Sequence, residues 1–271
     1  GLRQSDALFA HTRQLPERFA ALFDAAGYDE PICAVGASTR PRAVEGSYMP
    51  CFLAGETLGR CIASVLDVPF YAVSHQQGHI AAALWSAGRL DLMQTPHLAW
   101  HLSGGTTELL LVTPEGKNVH AERIGGTSDL SAGQVMDRTG KLLGLPFPSG
   151  KALDELSGGS DCGELFRVKL DGLQFSLSGL ENKIAQFRAQ GHDDGQTARY
   201  AVASVCHAVC AVTAAARKAY PGLTVVFSGG VASNSMLRAR CAQFAPVFAQ
   251  PQYSTDNAMG VAVLTYLQEA H

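Results

Sequence analysis

Apolar and polar positions along this chain follow two periods in turn, and glycine or proline separates the blocks. "SDALFAHTRQLPERFAALFDAAG" has helical spacing at both ends, and Pro16 within it marks a break or a new start. "PICAVGAS" holds a short apolar run, Ile32 to Val35, that predicts a strand followed by a loop. "CFLAGETLGRCIASVLD" returns to helical spacing and leads into a second short strand, "PFYAVS". "VSHQQGHIAAALWSAG" predicts a helix of about four turns ending at Gly88. Ser74 and Gln77 have the spacing of a capping box, which puts the helix start at His75. After the polar "GRLDLMQTP", the stretch "HLAWHLSGGTTELLLVTPEG" reads as strand, Gly-Gly turn, strand. "GGTSDLSAGQVMDRTGKLLGLPFPSG" reads as a capped helix closed by a Pro/Gly loop, and 151–195 mixes short strands and helices. A long helix around 197–219 precedes a strand, Gly-Gly turn and helix in "LTVVFSGGVASNSMLRARCAQF". A last helix, "STDNAMGVAVLTYLQ", is opened by Ser254, Thr255, Asp256 and Asn257. Strands alternating with helices in this way predict an α/β protein.

With 271 residues, 46% of them hydrophobic, the chain can bury one large core or two smaller ones. No apolar run near 18 residues is visible, which predicts no membrane span. No charged-then-apolar leader stands at the start. Net charge is −3, so any nucleic acid would have to be held with the help of a basic partner. The seven cysteines form no CxxC pair, and their odd number points to a reducing, cytoplasmic compartment. Cys206 and Cys210 stand four apart with His207 between them. They read either as a metal pair or as two small hydrophobes on a buried helix.

His75 and His79 share a helix face and can point at one ion, while the first-turn N–H groups favour an anionic ligand. The other reading is that they pack or face solvent. The spacing also fits H-E-x-x-H, but Gln76 stands where the general-base glutamate belongs, which argues against a metalloprotease. "LSGGTTELLL" places Ser103, Gly104 and Gly105 between two strands, where backbone N–H groups can meet a phosphate. "FSGGVASN" joins a strand to a helix with Asn234 at the helix start. Each glycine pair also reads simply as a turn. Gly133 and Asp137, four apart on one helix, can admit a ribose and bond its hydroxyls, or Asp137 is an exposed acid. Asp256 reads as an N-cap, or as the oxygen ligand that a two-histidine site lacks.

Taken in order, His-x₃-His, Ser-Gly-Gly-x-Thr, the Gly/Asp helix, Ser-Gly-Gly-Val-Ala-x-Asn and Asp-Asn resemble the Kae1/TsaD (Gcp, glycoprotease) family over nearly the whole chain. Members of that family make threonylcarbamoyl-adenosine in tRNA. The resemblance implies an actin-like ATPase (ASKHA) fold of two lobes, the first lacking its initial strands. It implies lobes at 1–97 and 98–255, with a helix at 256–271 returning to the first. It implies one divalent metal, zinc or iron, on His75, His79 and Asp256, with His101 as an additional candidate where some members carry tyrosine. It implies an adenine nucleotide or acyl-AMP on Ser103, Gly104, Gly105, Asp137, Gly150 and Asn234, with Gly133 as a further candidate.

The implied reaction is transfer of threonylcarbamoyl from its anhydride with AMP to N6 of a tRNA adenosine. The residues also leave room for a carbamoyltransferase that uses carbamoyl-AMP, and for a non-catalytic scaffold. Two departures from the family are visible: Gln77 replaces the usual glutamate of the His motif, and Thr106-Thr107 replaces the frequent His-Thr. An exposed sheet edge on a shortened first lobe predicts a cover by a partner or a second copy, and tRNA held through partner subunits.

Overall fold

The computed structural model describes residues 3–27, 30–254 and 258–270. Helix α1 (Gln4–Ala26) is followed by strand β1 (Val35–Arg40), helix α2 (Phe52–Leu66), strand β2 (Phe70–Ser74) and helix α3 (His75–Ser86). β1 and β2 pair in parallel, Val35 opposite Phe70, as a sheet of two strands among the described residues. The larger sheet contains β3 (His97–Leu102), β4 (Thr107–Glu115), β5 (Asn118–Thr127), β6 (Leu170–Asp171), β7 (Gln174–Phe175), β8 (Val225–Ser228) and β9 (Val247–Phe248). Its order is β6-β7-β5-β4-β3-β8-β9. Helices α4 (Ala132–Leu142), α5 (Gly150–Gly158), α6 (Ser178–Ala189), α7 (Asp194–Ala219), α8 (Ser235–Cys241) and α9 (Met259–Glu269) complete the described chain.

Strand alternation builds two cores, one on each face of the larger sheet. Leu98, Trp100, Leu102 and Leu109 point to the side covered by α4 to α8. Ala99, Leu110, Val112 and Val226 point to the side covered by α3 and α9. Burial on both faces is why β3 reads as an almost continuous apolar run. Buried Trp100 satisfies its indole N–H by donating to Thr213 Oγ1 at 2.9 Å. α9 also packs on the small sheet, because Gly36 has no side chain there: a Cβ would lie 1.8 Å from Thr265 Oγ1. α2 covers the other face of that sheet through Gly59, beside Phe70 and Ala37. The layers are thus helix, small sheet, helices, large sheet, helices. The small sheet has two strands among the described residues, and the α/β expectation holds.

Several local expectations change. α1 runs unbroken through Pro16. The carbonyl of Thr12, which Pro16 cannot bond, belongs to an exposed residue. β1 begins at Val35, three residues after the predicted Ile32, because its register is set by β2. "NVHAERIGGT" is a full strand, β5, that the periodicity reading passed over. Its Gly126 has φ 120° and lies where a Cβ would meet the Thr107 carbonyl at 2.3 Å, so only glycine fits. The polar-looking "GRLDLMQTP" contains a 3-10 turn, Leu90–Gln94, with Leu92 and Met93 buried. α7 is long and apolar enough to cross a membrane, contrary to the expectation from apolar runs, but two-thirds (67%) of its most apolar window is buried in the protein, as in a core helix. α9 starts at Met259 after an Ala258 cap with no side-chain bond, so the predicted opening by Asp256 and Asn257 falls outside the described residues.

Asp129 ties the end of β5 to the start of α6. Its carboxylate accepts from Leu130 N at 2.7 Å, Leu177 N at 2.8 Å and Ser176 Oγ at 2.5 Å. Burial acts to raise its pKa, but the bonds from Ser176, Leu177, Ser178 and Leu130 outweigh it and hold the group at about 2. A folded pKa below the unfolded value of about 3.9 means this stabilisation is present above that pH and is lost as pH falls through about 2. Because Asp129 is exposed, screening limits it to about 1 kcal/mol. Asp129→Asn is expected to lower stability at pH 6 and to flatten the loss between pH 4 and 2. Urea melts across that range check it, and parallel curves for the two proteins would refute it.

Candidate metal and nucleotide site

β3 and β8 run side by side in parallel, His101 opposite Ser228, and each ends in a glycine turn. Ligands of open α/β sheets sit beyond the carboxyl ends of such strands. Gly229 is required for the second turn: with φ 91°, its Cβ would lie 2.2 Å from the Leu102 carbonyl. Two cavities of about 420 Å³ each lie at these ends.

The first cavity is lined by His75, His79, His101, Ser228, Glu108 and Arg42, among others. The capping box forms as expected: Ser74 Oγ accepts from Gln77 N at 3.2 Å, and Gln77 Oε1 accepts from Ser74 N at 2.9 Å. This places His75 and His79 on adjacent turns with their Nε2 atoms 3.0 Å apart. Two ligands of a tetrahedral zinc, at about 2.0–2.1 Å each, sit about 3.3 Å apart, so the pair fits one ion after a small movement. The His101 ring centroid is 4.9 Å from that of His79, and its Nδ1 is 3.4 Å from Ser228 Oγ. Among the described residues no three His, Cys, Asp or Glu side chains form a metal-holding group. Asp256, the expected third ligand, lies outside the described residues. Arg42, from the loop after β1, reaches across to Glu108 on β4 at 2.5 Å, and Arg123 stands 3.7 Å from the same carboxylate. Glu108 is 7% exposed, and these two guanidinium groups compensate its buried charge.

The second cavity brings together Gly104, Gly133, Asp137, Gly150 and Asn234, five of the expected nucleotide residues. Gly133 lets α4 approach the first glycine turn: a Cβ would lie 2.5 Å from both Gly104 Cα and the Ser103 carbonyl. Asp137 Oδ1 accepts from Ser149 N at 2.9 Å, which anchors the loop before α5. Ser103 and Gly105 do not line this cavity. The Ser103 hydroxyl is used within its own turn, accepting from Thr106 N at 3.0 Å.

A family model described as TsaD, tRNA N6-adenosine threonylcarbamoyltransferase, matches residues 5–263. The chain belongs to the TsaD family. It is 32% identical to the tRNA N6-adenosine threonylcarbamoyltransferase of Granulibacter bethesdensis, covering 93% of this chain and 74% of that protein. It is 33% identical to that of Corynebacterium aurimucosum over 94% of this chain and 76% of the relative. The match to the Streptococcus suis protein is 32% identical, over 82% of this chain and 65% of the relative. Among solved structures, full-length HypF in its phosphate- and nucleotide-bound form superposes with TM-score 0.62 at 14% identity, over 93% of this chain and 40% of that one. HypF of T. kodakarensis superposes with TM-score 0.59 at 15% identity, over 88% and 40%. At these identities the structural matches establish the fold.

Set beside the TsaD family, the glutamine in the His motif gains a physical reason. Gln77 is buried, and its Nε2 donates to the Val119 carbonyl at 2.8 Å while its Oε1 serves the helix cap. An ionised glutamate has no donor for that carbonyl. Sequence reading missed Asp154. Its carboxylate accepts from Asn234 Nδ2 and Ser235 N, both at 2.9 Å, and from Ser235 Oγ at 2.8 Å. Asn234 Oδ1 in turn caps α8 by accepting from Leu237 N at 3.0 Å. Asn234 therefore shapes the cavity wall, and Asp154 holds that wall to α5. An acid on a short amphipathic helix carries no signal of this. Arg42 and Glu108 were missed for the same reason: they meet only through the fold.

Proposed function

We propose that this chain holds a divalent metal at His75 and His79, binds an acyl-adenylate across the two cavities, and transfers a threonylcarbamoyl group to N6 of a tRNA adenosine. One observation carries the reading: a histidine pair and a glycine-lined cavity flank the same two strand ends, so one ligand can touch both. A divalent metal held by His75 and His79 would supply Lewis-acid polarisation of the acyl group. Imidazole ligands suit zinc and iron. Backbone N–H groups at the glycine turns hold the AMP phosphate, and Asp137 receives ribose hydroxyls. N6 attacks the carbamoyl carbon, the carbon–oxygen bond to phosphate breaks, and the amine proton leaves with the phosphate or to water. No protein nucleophile is required. The net charge of −3 supplies no field for a polyanion, so the reading assigns tRNA capture to basic partner subunits.

The test adds metal-loaded protein to threonylcarbamoyl-AMP, first alone for donor binding and then with tRNA and cell extract for transfer. Saturable donor binding and label on tRNA adenosine are expected. Preferential binding of carbamoyl-AMP would replace this reading with the carbamoyltransferase one. Binding of neither donor would leave the scaffold.

A further inference from the structure

α7 and α8 pack so that Cys210 Sγ lies 3.5 Å from Cys241 Sγ, although the two residues are 31 positions apart. Cys241 ends α8 and is fully buried, whereas Cys210 is only partly buried. We propose that Cys210 and Cys241 are a reactive dithiol that closes to an intramolecular disulfide, locking α8 against α7. A disulfide needs its sulfurs about 2.05 Å apart, so closure takes about 1.5 Å of approach, within reach of side-chain rotation. The two thiols are unequal. The hydrogen bond shared with Cys241, with Arg240 nearby, holds the Cys210 thiol down and favours its thiolate against the opposing effect of burial. Contact with Cys210 and burial push the Cys241 thiol up. Cys206, one turn earlier on α7, is fully buried and pushed up to about 12 by burial, which leaves it inert.

The chemistry balances with a low-molecular-weight disulfide such as oxidised glutathione as oxidant. The Cys210 thiolate attacks one sulfur of the small disulfide, whose S–S bond breaks, and a small thiolate leaves. Cys241 gives its proton to that thiolate or to water. Its sulfur then attacks Cys210 Sγ and displaces the second small thiol. Two protein thiols lose two electrons, and one small disulfide becomes two thiols. The lock bears on the second cavity, since the other end of α8 carries Asn234 and Ser235, held to Asp154. Cys206 Sγ lies 3.8 Å from Asn234 Oδ1, so the dithiol is one helical turn from that wall.

The full chain is treated with oxidised glutathione under native conditions, alkylated and mapped by mass spectrometry. A linked Cys210–Cys241 peptide is expected, removed by dithiothreitol, while exposed Cys33 and Cys61 carry glutathione instead. Closing a loop of about 30 residues also raises the thermal midpoint by several degrees. Cys241→Ala, a small apolar replacement, traps the mixed disulfide on Cys210. Cys210→Ala leaves Cys241 unmodified. Both thiols alkylated in the folded wild type, while Cys33 and Cys61 react, would overturn the proposal. So would a Cys210 that keeps its glutathione with Cys241 present.

Discussion

Replacing His75 and His79 together by alanine is expected to remove the metal proposed for that pair, and with it the proposed acyl transfer, while the protein stays folded. Both side chains are only partly buried in the first turns of α3. The Ser74–Gln77 box that starts the helix is untouched, and alanine is the better helix former by about 0.5 kcal/mol. Lost packing, such as the contact of the His75 ring with Phe52 at 5.7 Å between centroids, offsets this by a similar amount. The fold should therefore be nearly unchanged. Metal content is expected to fall from about one equivalent to below about a tenth, because both imidazole ligands are gone. Mass spectrometry of protein reconstituted with zinc or iron, beside circular dichroism, checks this. A wild type that holds neither metal, or a double variant that keeps it, would demote both histidines to packing roles.

Gly260→Ala is expected to cost about 2–3 kcal/mol, and Gly260→Val more. A Cβ at Gly260 would lie 1.7 Å from the Gly78 carbonyl and 2.9 Å from Ala82 N, both backbone atoms that cannot rotate away. One helix must move. A backbone clash this close puts the cost at or above the top of the usual overpacking range, about 3–4 kcal/mol, against about 1 kcal/mol that alanine returns as helix propensity. For a chain of this size the melting temperature should fall by about 5–10 °C. Gly78 stands between His75 and His79, so displacement of α3 should also weaken metal binding. Gly163→Ala, where a Cβ meets nothing within 4 Å, is the control. Equal melting temperatures for Gly260→Ala and wild type would show that α3 and α9 do not approach so closely.

These expectations draw unequally on sequence and structure. The His-x₃-His pair was legible because a capping box and a four-residue spacing are local, and local geometry put both Nε2 atoms together. Five nucleotide candidates were legible from the ordered motifs and line one cavity. Ser103 lies outside that cavity, and its hydroxyl accepts from Thr106 N within its own turn while keeping an O–H to donate. Pro16 misled, because an exposed helix tolerates one lost backbone bond. β5 was missed because its pairing with β4, not its own alternation, makes it a strand.

The sequence by itself determined the class of fold, the family, the start of α3 and the glycine turns that end β3 and β8. Those features depend on periodicity, caps and φ, which a few consecutive residues decide. Only the tertiary structure decided that Gln77 bonds the Val119 carbonyl, that Arg42 pairs with Glu108, that Asp154 holds the Asn234 wall and that Cys210 faces Cys241. Each of those contacts joins residues between 31 and 80 positions apart. Their partners are set by the path of the whole chain through its layers, and no local pattern encodes that path.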